Sequence, residues 1–240
     1  MAMNQKNNED QALEVAINDP TIRRSLTRQS FLYFFCFYLH HYMKFPLAEF
    51  HKEIIRIAED TSNLLCCLVA FRGSAKSTLV TLAYCLWSIL GKQEKKFVLI
   101  ICQTQTQAKL HMKNIRHELE TNALLKSDLG PFQDEKFGEW SMPSLVFKET
   151  GARITIASMD QSIRGMRHHE HRPDLILLDD IEDIASCKTK EGREKTFSWF
   201  TREVIPLGDS GTRIILVGNL LHEDSLMMRL KEDIEKDRIS

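Results

Sequence analysis

The stretch "FRGSAKST", Phe71 to Thr78, decides the fold. It carries a glycine, a lysine and two hydroxyl residues in the order of a phosphate-binding loop, G-x-x-x-x-G-K-[ST]. It departs from that pattern in two ways. Ala75 stands where the second glycine falls, and Phe71 lies one or two residues from the place of the first. Its setting matches. The apolar run "NLLCCLVAF" precedes it, and "TLVTLAYCLWSIL", a helical pattern ending at Gly91, follows it. Between a strand and a helix, the amides of a tight turn and of the first helical turn converge on an anion, and the helix dipole adds to them. In this reading Arg72, Gly73, Ser74 and Ala75 cradle the phosphates of a nucleotide, and Gly73 takes a positive φ without penalty. Lys76 reaches the terminal phosphates, and Ser77 or Thr78 offers a hydroxyl to Mg2+. Ala75 fits provided that its backbone stays helical. The bland alternative is a glycine-assisted strand-to-helix turn with an exposed lysine.

Working outward, "PDLILLDDIED" ends another apolar run with Asp179, Asp180, Glu182 and Asp183. Acids crowded at one strand tip repel one another unless a positive species is present. Bound Mg2+ and nucleotide would supply that charge. Asp179 would hold the metal through water, and Asp180 or Glu182 would orient or deprotonate the attacking water. The spacing favours neither of the two. A solvated helix cap is the competing reading. The loop and the acidic tip are expected at the ends of two neighbouring strands.

The remaining runs place both elements in one sheet. "KFVLIIC" and "TRIILVGN" are also continuous apolar stretches, and helical patterns alternate with all four. Such strands are covered on both faces, which argues for an α/β fold with a mostly parallel sheet. "SLVFK" and "ARITIAS" read as an inserted hairpin. Ligands of such sheets bind beyond the carboxyl ends of the strands. "FPLAEFHKEIIRIAED" has helical spacing, Ser30 can cap a helix over "FLYFFCFYLHHYM", and residues 1 to about 20 read as a frayed polar arm.

Composition bounds the rest. The 240 residues carry a net charge of −1, so no global basic field points to nucleic acid. The six cysteines contain no C-x-x-C pair and read as buried thiols of a cytosolic chain. The aromatic run of about thirteen residues is too short for a membrane span. In "SIRGMRHHEHRPD", Arg164, Arg167 or Arg172 could act as an arginine finger, within the subunit or towards a neighbour, or could form a basic surface loop. The adjacent His168, His169, Glu170 and His171 cannot all face one ion. After the last apolar run, Asn219 and His222 stand where a polar residue could contact the terminal phosphate and report hydrolysis. Asn219 with Glu223 or Asp224 could also start and cap the final helix, and the two readings are compatible.

This motif set resembles the ATPase half of the large terminase subunit of tailed viruses. "FRGSAKSTL" resembles the R-G-x-[AG]-K-S-T form of that family's Walker A loop, in which alanine before the lysine is accepted. "IRGMR…RPDLILLDDIED" resembles its Walker B segment, and "VGNLLHEDSLMMRL" its coupling motif, with Asn219 in place of the common threonine. "FPLAEFHKEI" resembles the adenine-side segment, with His51 where other branches carry glutamine. The resemblance covers roughly residues 45 to 235. It implies a RecA-like P-loop NTPase of the additional-strand catalytic glutamate class, with N-terminal helices over 1–44 and the ATPase domain over 45–240. It also implies hydrolysis of Mg2+-ATP, a homo-oligomeric ring at the portal of a procapsid in the host cytoplasm, a small terminase subunit as partner, and double-stranded DNA as the moved substrate. Family members carry a C-terminal nuclease. This chain stops at Ser240, so no DNA cutting is expected of it. Two other functions compete: a helicase-like nucleic-acid motor, and a nucleotide-binding adaptor that no longer hydrolyses, with Ala75 as its mark of decay.

Overall fold

The computed structural model describes residues 14, 17–134 and 139–236. Most of the expected polar arm lies outside the described residues. Asp19 and Pro20 start a helix that the sequence reading did not contain: α1, Pro20–Gln29, with the Asp19 carboxylate accepting the amides of Thr21 and Ile22. Ser30 then caps α2, Phe31–Tyr38, and α3 spans Glu49–Glu59.

Seven strands form one sheet: β1 Leu65–Val69, β2 Phe97–Cys102, β3 Trp140–Ser141, β4 Ser144–Val146, β5 Arg153–Ser158, β6 Leu175–Asp179 and β7 Arg213–Gly218. Their order is β1-β7-β6-β2-β5-β4-β3. The first five in that order run parallel, and β5, β4 and β3 continue antiparallel, as the inserted hairpin predicts. One expectation fails in detail: the strand before the phosphate-type loop (β1) and the acidic strand (β6) are not neighbours. β7 lies between them, bonded to both.

The apolar runs are continuous because both faces of the sheet are covered. Along β2, Val98, Ile100 and Cys102 enter one core and Leu99 and Ile101 the other. The first core is closed by α2, by α4 (wound as π turns over Thr78–Tyr84 and as α-helix over Cys85–Leu90) and by α5, Gln105–Thr121. Phe31, Phe34, Phe35 and Tyr38 pack there with Trp87 and Val98, so the aromatic run within residues 1–44 shares the core of the sheet. The second core is closed by α8, Lys190–Trp199, with its continuation through Phe200 and Val204, and by α9, Leu226–Glu235. Two short helices, α6 Ala123–Leu129 and α7 Ile184–Lys188, complete the layers. Among the described residues no helix is long and apolar enough to cross a membrane.

Candidate functional site

All five parallel strands end on one side of the sheet, and a cavity of about 800 Å3 opens there. Gly73, Lys76, Asp180, Glu182 and Asn219 line it, together with Arg72 and with Gln103 and Gln107 from the start of α5. The loop 71–77 and the acidic tip of β6 therefore meet, across the intervening β7.

Gly73 has φ +80° with open space where a Cβ would stand, as a left-handed turn requires. Ala75 does not keep to the helical region that the sequence reading required of it. Its φ is +56°, a left-handed value at a residue with a Cβ. The alanine is compatible with the turn but strained in it. Ala75→Gly is expected to raise stability by about 1 kcal/mol, less what glycine gains in the unfolded chain. A chemical denaturation midpoint that falls would show that the strain is absent.

Lys76 is only 6% exposed. Its ammonium donates to Asn219 Oδ1 at 3.1 Å and makes no ion pair among the described residues. A buried cation without a direct ion pair is costly, and the carboxyl that shares its cavity, Asp180, is not in contact with it. Ser74 Oγ is buried in the same loop and has no hydrogen-bond partner among the described residues. Ser77 Oγ donates to Asp179 Oδ1 at 3.0 Å, and Thr81 Oγ1 donates to Asp179 Oδ2 at 2.6 Å. Of Ser77 and Thr78, it is Ser77 whose hydroxyl meets the carboxylate; Thr78 lines a second cavity.

The four acids have separate partners. Asp179 is 2% exposed and held by the two hydroxyls. Asp180 has φ +45°, and its Oδ1 accepts Asn219 Nδ2 at 3.3 Å. Burial first, and then the neighbouring Asp179 charge, push the Asp180 carboxyl above its ordinary range, while Lys76 and Arg72 pull the other way. Glu182 faces the cavity but is engaged elsewhere. Its Oε1 accepts the Leu226 amide at 2.8 Å at the start of α9, and Cys187 Sγ lies 3.5 Å from the same oxygen. Asp183 caps α7 through Ser186 N at 2.6 Å, which is the helix-cap reading for that one residue.

Other predicted residues are placed differently. None of the three arginines, Arg164, Arg167 and Arg172, lines the cavity. Their segment runs from the end of β5 back towards the start of that strand, at the opposite end of the parallel strands, where His168 Nε2 meets Gly151 O at 2.8 Å. Arg164 is exposed and pairs with Glu203 at 3.3 Å, and Arg172 donates to Pro206 O and Gly208 O. His222 Nδ1 accepts the Asp224 amide, but neither Asn219 nor Asp224 caps α9. Ser225 does, and Asp224 instead joins Arg193 of α8 to Arg229 of α9. His51 Nδ1 accepts the Ala48 amide at 3.0 Å. It lines the second cavity, about 280 Å3, with Phe35, Leu47 and Thr78. His111, which sequence reasoning passed over, brings Nε2 to 3.3 Å from Asp179 Oδ2.

A glycine-containing loop after β1, an acid-tipped β6 and an extra strand between them define a RecA-like P-loop fold with an additional strand. The chain has the fold of the ATPase domains of phage large terminases. It is similar to the HK97 bacteriophage large terminase, with a TM-score of 0.55 and 14% identity over 80% of this chain and 38% of that one. It is similar also to the large terminase ATPase domain of Thermus phage P74-26, with a TM-score of 0.50 and 13% identity over 75% of this chain and 67% of that one. The third is a large terminase of a thermophilic bacteriophage, with a TM-score of 0.50 and 11% identity over 81% of this chain and 44% of that one. At the level of sequence no protein-family model and no curated protein matches the chain.

Proposed function

We propose that this chain is the ATPase motor domain of a viral DNA-packaging terminase, hydrolysing Mg2+-ATP to move double-stranded DNA into a procapsid. One observation carries the reading. Lys76, buried without an ion pair, lines one cavity with Asp180 and Glu182, and directly behind them Ser77 is hydrogen-bonded to Asp179. The donor set fits the cation and the substrate. Mg2+ takes hydroxyl, carboxylate and water oxygens, and the triphosphate takes loop amides and an ammonium.

In this proposal the loop amides from Arg72 to Ser77 and the Lys76 ammonium bind the phosphates. Ser77 and Asp179 hold Mg2+, which when bound neutralises charge on the phosphate oxygens. His51 and the second cavity receive the adenine side. Asp180 is the carboxylate that orients and deprotonates water, because its raised proton affinity suits a base and Glu182 is committed to α9. Asn219 touches both Lys76 and Asp180, which suits a residue that senses the terminal phosphate, and His222 holds the turn that follows it. Arg164 and Arg167 are exposed, so either would act as a finger on a neighbouring subunit of a homo-oligomeric ring. Portal protein and small terminase subunit are the proposed partners, in the host cytoplasm.

The test is Mg2+-dependent ATPase activity at high protein concentration, with and without double-stranded DNA. Asp180→Asn is expected to lower kcat by about 10²-fold. The same change should raise Tm. The folded state binds the Asp180 proton more tightly than the unfolded chain does, so above the ordinary carboxylate range the ionised group costs stability. Glu182→Gln should keep most of the activity, since an amide oxygen still accepts the Leu226 amide. The reverse pattern would make Glu182 the base. Nucleotide binding without turnover under all conditions would leave the adaptor reading in its place.

A further inference from the structure

His111 belongs to none of the motifs used above. It lies on α5 one turn beyond Gln107, so the two share a helix face, and Gln107 lines the polar cavity. The adjoining stripe, Ala108, Met112, Ile115 and Leu119, is buried in the core, which sets the rotation of the helix. The approach to the helix is equally constrained. β2 pairs with β6 so that Cys102 faces Asp179 in register, and only Gln103 and Thr104 separate β2 from α5. Thr104 and Gln107 close a reciprocal cap: Gln107 N donates to Thr104 Oγ1 at 3.3 Å, and Thr104 N to Gln107 Oε1 at 3.1 Å. This scaffold brings His111 Nε2 to 3.3 Å from Asp179 Oδ2, the oxygen that also accepts the Thr81 hydroxyl. With Ser77 on Oδ1, both oxygens of the buried carboxylate have protein partners, drawn from two helices.

We propose that His111 is a positioning residue that orients the Asp179 carboxylate for the cation. The inference rests on the proposed function, because it needs Asp179 to serve the metal. Partners behind a metal-binding carboxylate fix its direction, and their loss costs about 10- to 100-fold in metal affinity. At 22% exposure the imidazole is not a core-filling group.

The experiment measures Mn2+ affinity of the ADP-bound protein by electron paramagnetic resonance. It uses wild type, His111→Ala, His111→Gln, Asp179→Asn and the His111→Ala/Asp179→Asn double variant. His111→Ala is expected to weaken Mn2+ binding about tenfold, with Tm and metal-free ADP affinity unchanged. His111→Gln, which retains an N–H donor, should return to within about threefold of wild type. In the Asp179→Asn background, removing His111 should change nothing further. Mn2+ affinity unchanged in His111→Ala would overturn the inference. So would equal losses in the alanine and glutamine variants with a lowered Tm, the pattern of a packing role. If wild type binds no ADP, with or without Mn2+, the proposed function fails and the inference with it. If wild type binds Mn2+-ADP and His111→Ala binds it equally, only the inference fails.

Discussion

Lys76→Ala is expected to lower kcat/KM for ATP by about 10³-fold or more while leaving Tm unchanged or higher. Removing one preorganised neutral donor at a developing charge costs about 10²- to 10³-fold in rate, and Lys76 carries a full charge. Without substrate the same ammonium is a burden. It is 6% exposed, and its partner is the amide oxygen of Asn219. Deleting it removes a desolvated cation at the cost of one amide-oxygen partner and of its charge beside Asp180, where Arg72 still acts. Lost activity alone is ambiguous, because unfolding abolishes turnover too. The diagnostic result is lost turnover and weakened nucleotide binding in a protein that melts no lower than wild type. A variant that hydrolyses at the wild-type rate would remove the loop from the chemistry altogether.

Arg213→Ala is expected to have the largest effect on stability, about 4 kcal/mol, or a fall in Tm on the order of 10 °C. Arg213 opens β7 and is 1% exposed. Its Nη1 donates to Ala58 O at 2.5 Å and to Tyr84 Oη at 2.8 Å, its Nη2 to Ile57 O at 2.7 Å, and its Nε to Asn63 O at 3.2 Å. Ile57 and Ala58 end α3, where the last carbonyls have no partner within the helix and carry the negative end of its dipole. One guanidinium thus satisfies that helix end, the turn before β1 and the helix of the phosphate-type loop. Alanine would leave the Ile57 and Ala58 carbonyls unpaired, remove one partner from Tyr84 and from Asn63, and open a cavity. Arg213→Lys should recover less than half of the loss, because an ammonium cannot reproduce a planar fork. Arg213→Met, which keeps volume without donors, separates packing from hydrogen bonding. An unchanged Tm in Arg213→Ala would refute the pinning role.

The parallel strands were legible because burial on both faces leaves runs such as "FVLIIC" without polar alternation. The loop and the acidic tip were legible because glycine, lysine and clustered carboxylates are rare together at strand ends. Spatial order was not. Nothing in "RIILVG" says that it inserts between β1 and β6. The left-handed backbone at Ala75 was hidden because alanine is ordinarily evidence against it. His111 was invisible for another reason. Its helical spacing from Gln107 predicts a shared face but not what that face meets. Glu182 looked free for chemistry because its partner, the amide of Leu226, is 44 residues away. The arginine segment misled because "IRGMR" precedes β6 in the chain, whereas a parallel crossover must carry the chain back to the other end of the strands before β6 begins.

The reversal of direction after β5 has a consequence for how copies of this protein meet. The outermost strand on that margin, β3, is two residues long, too short a ribbon to template another chain's backbone. The opposite margin is β1, five residues bonded on one side only to β7, with Val69 half-exposed at its tip. Backbone-to-backbone joining of subunits is thus disfavoured at one border and has a template only at the other. In the ring proposed above, subunits would therefore meet through side-chain surfaces unless the β1 edge is used.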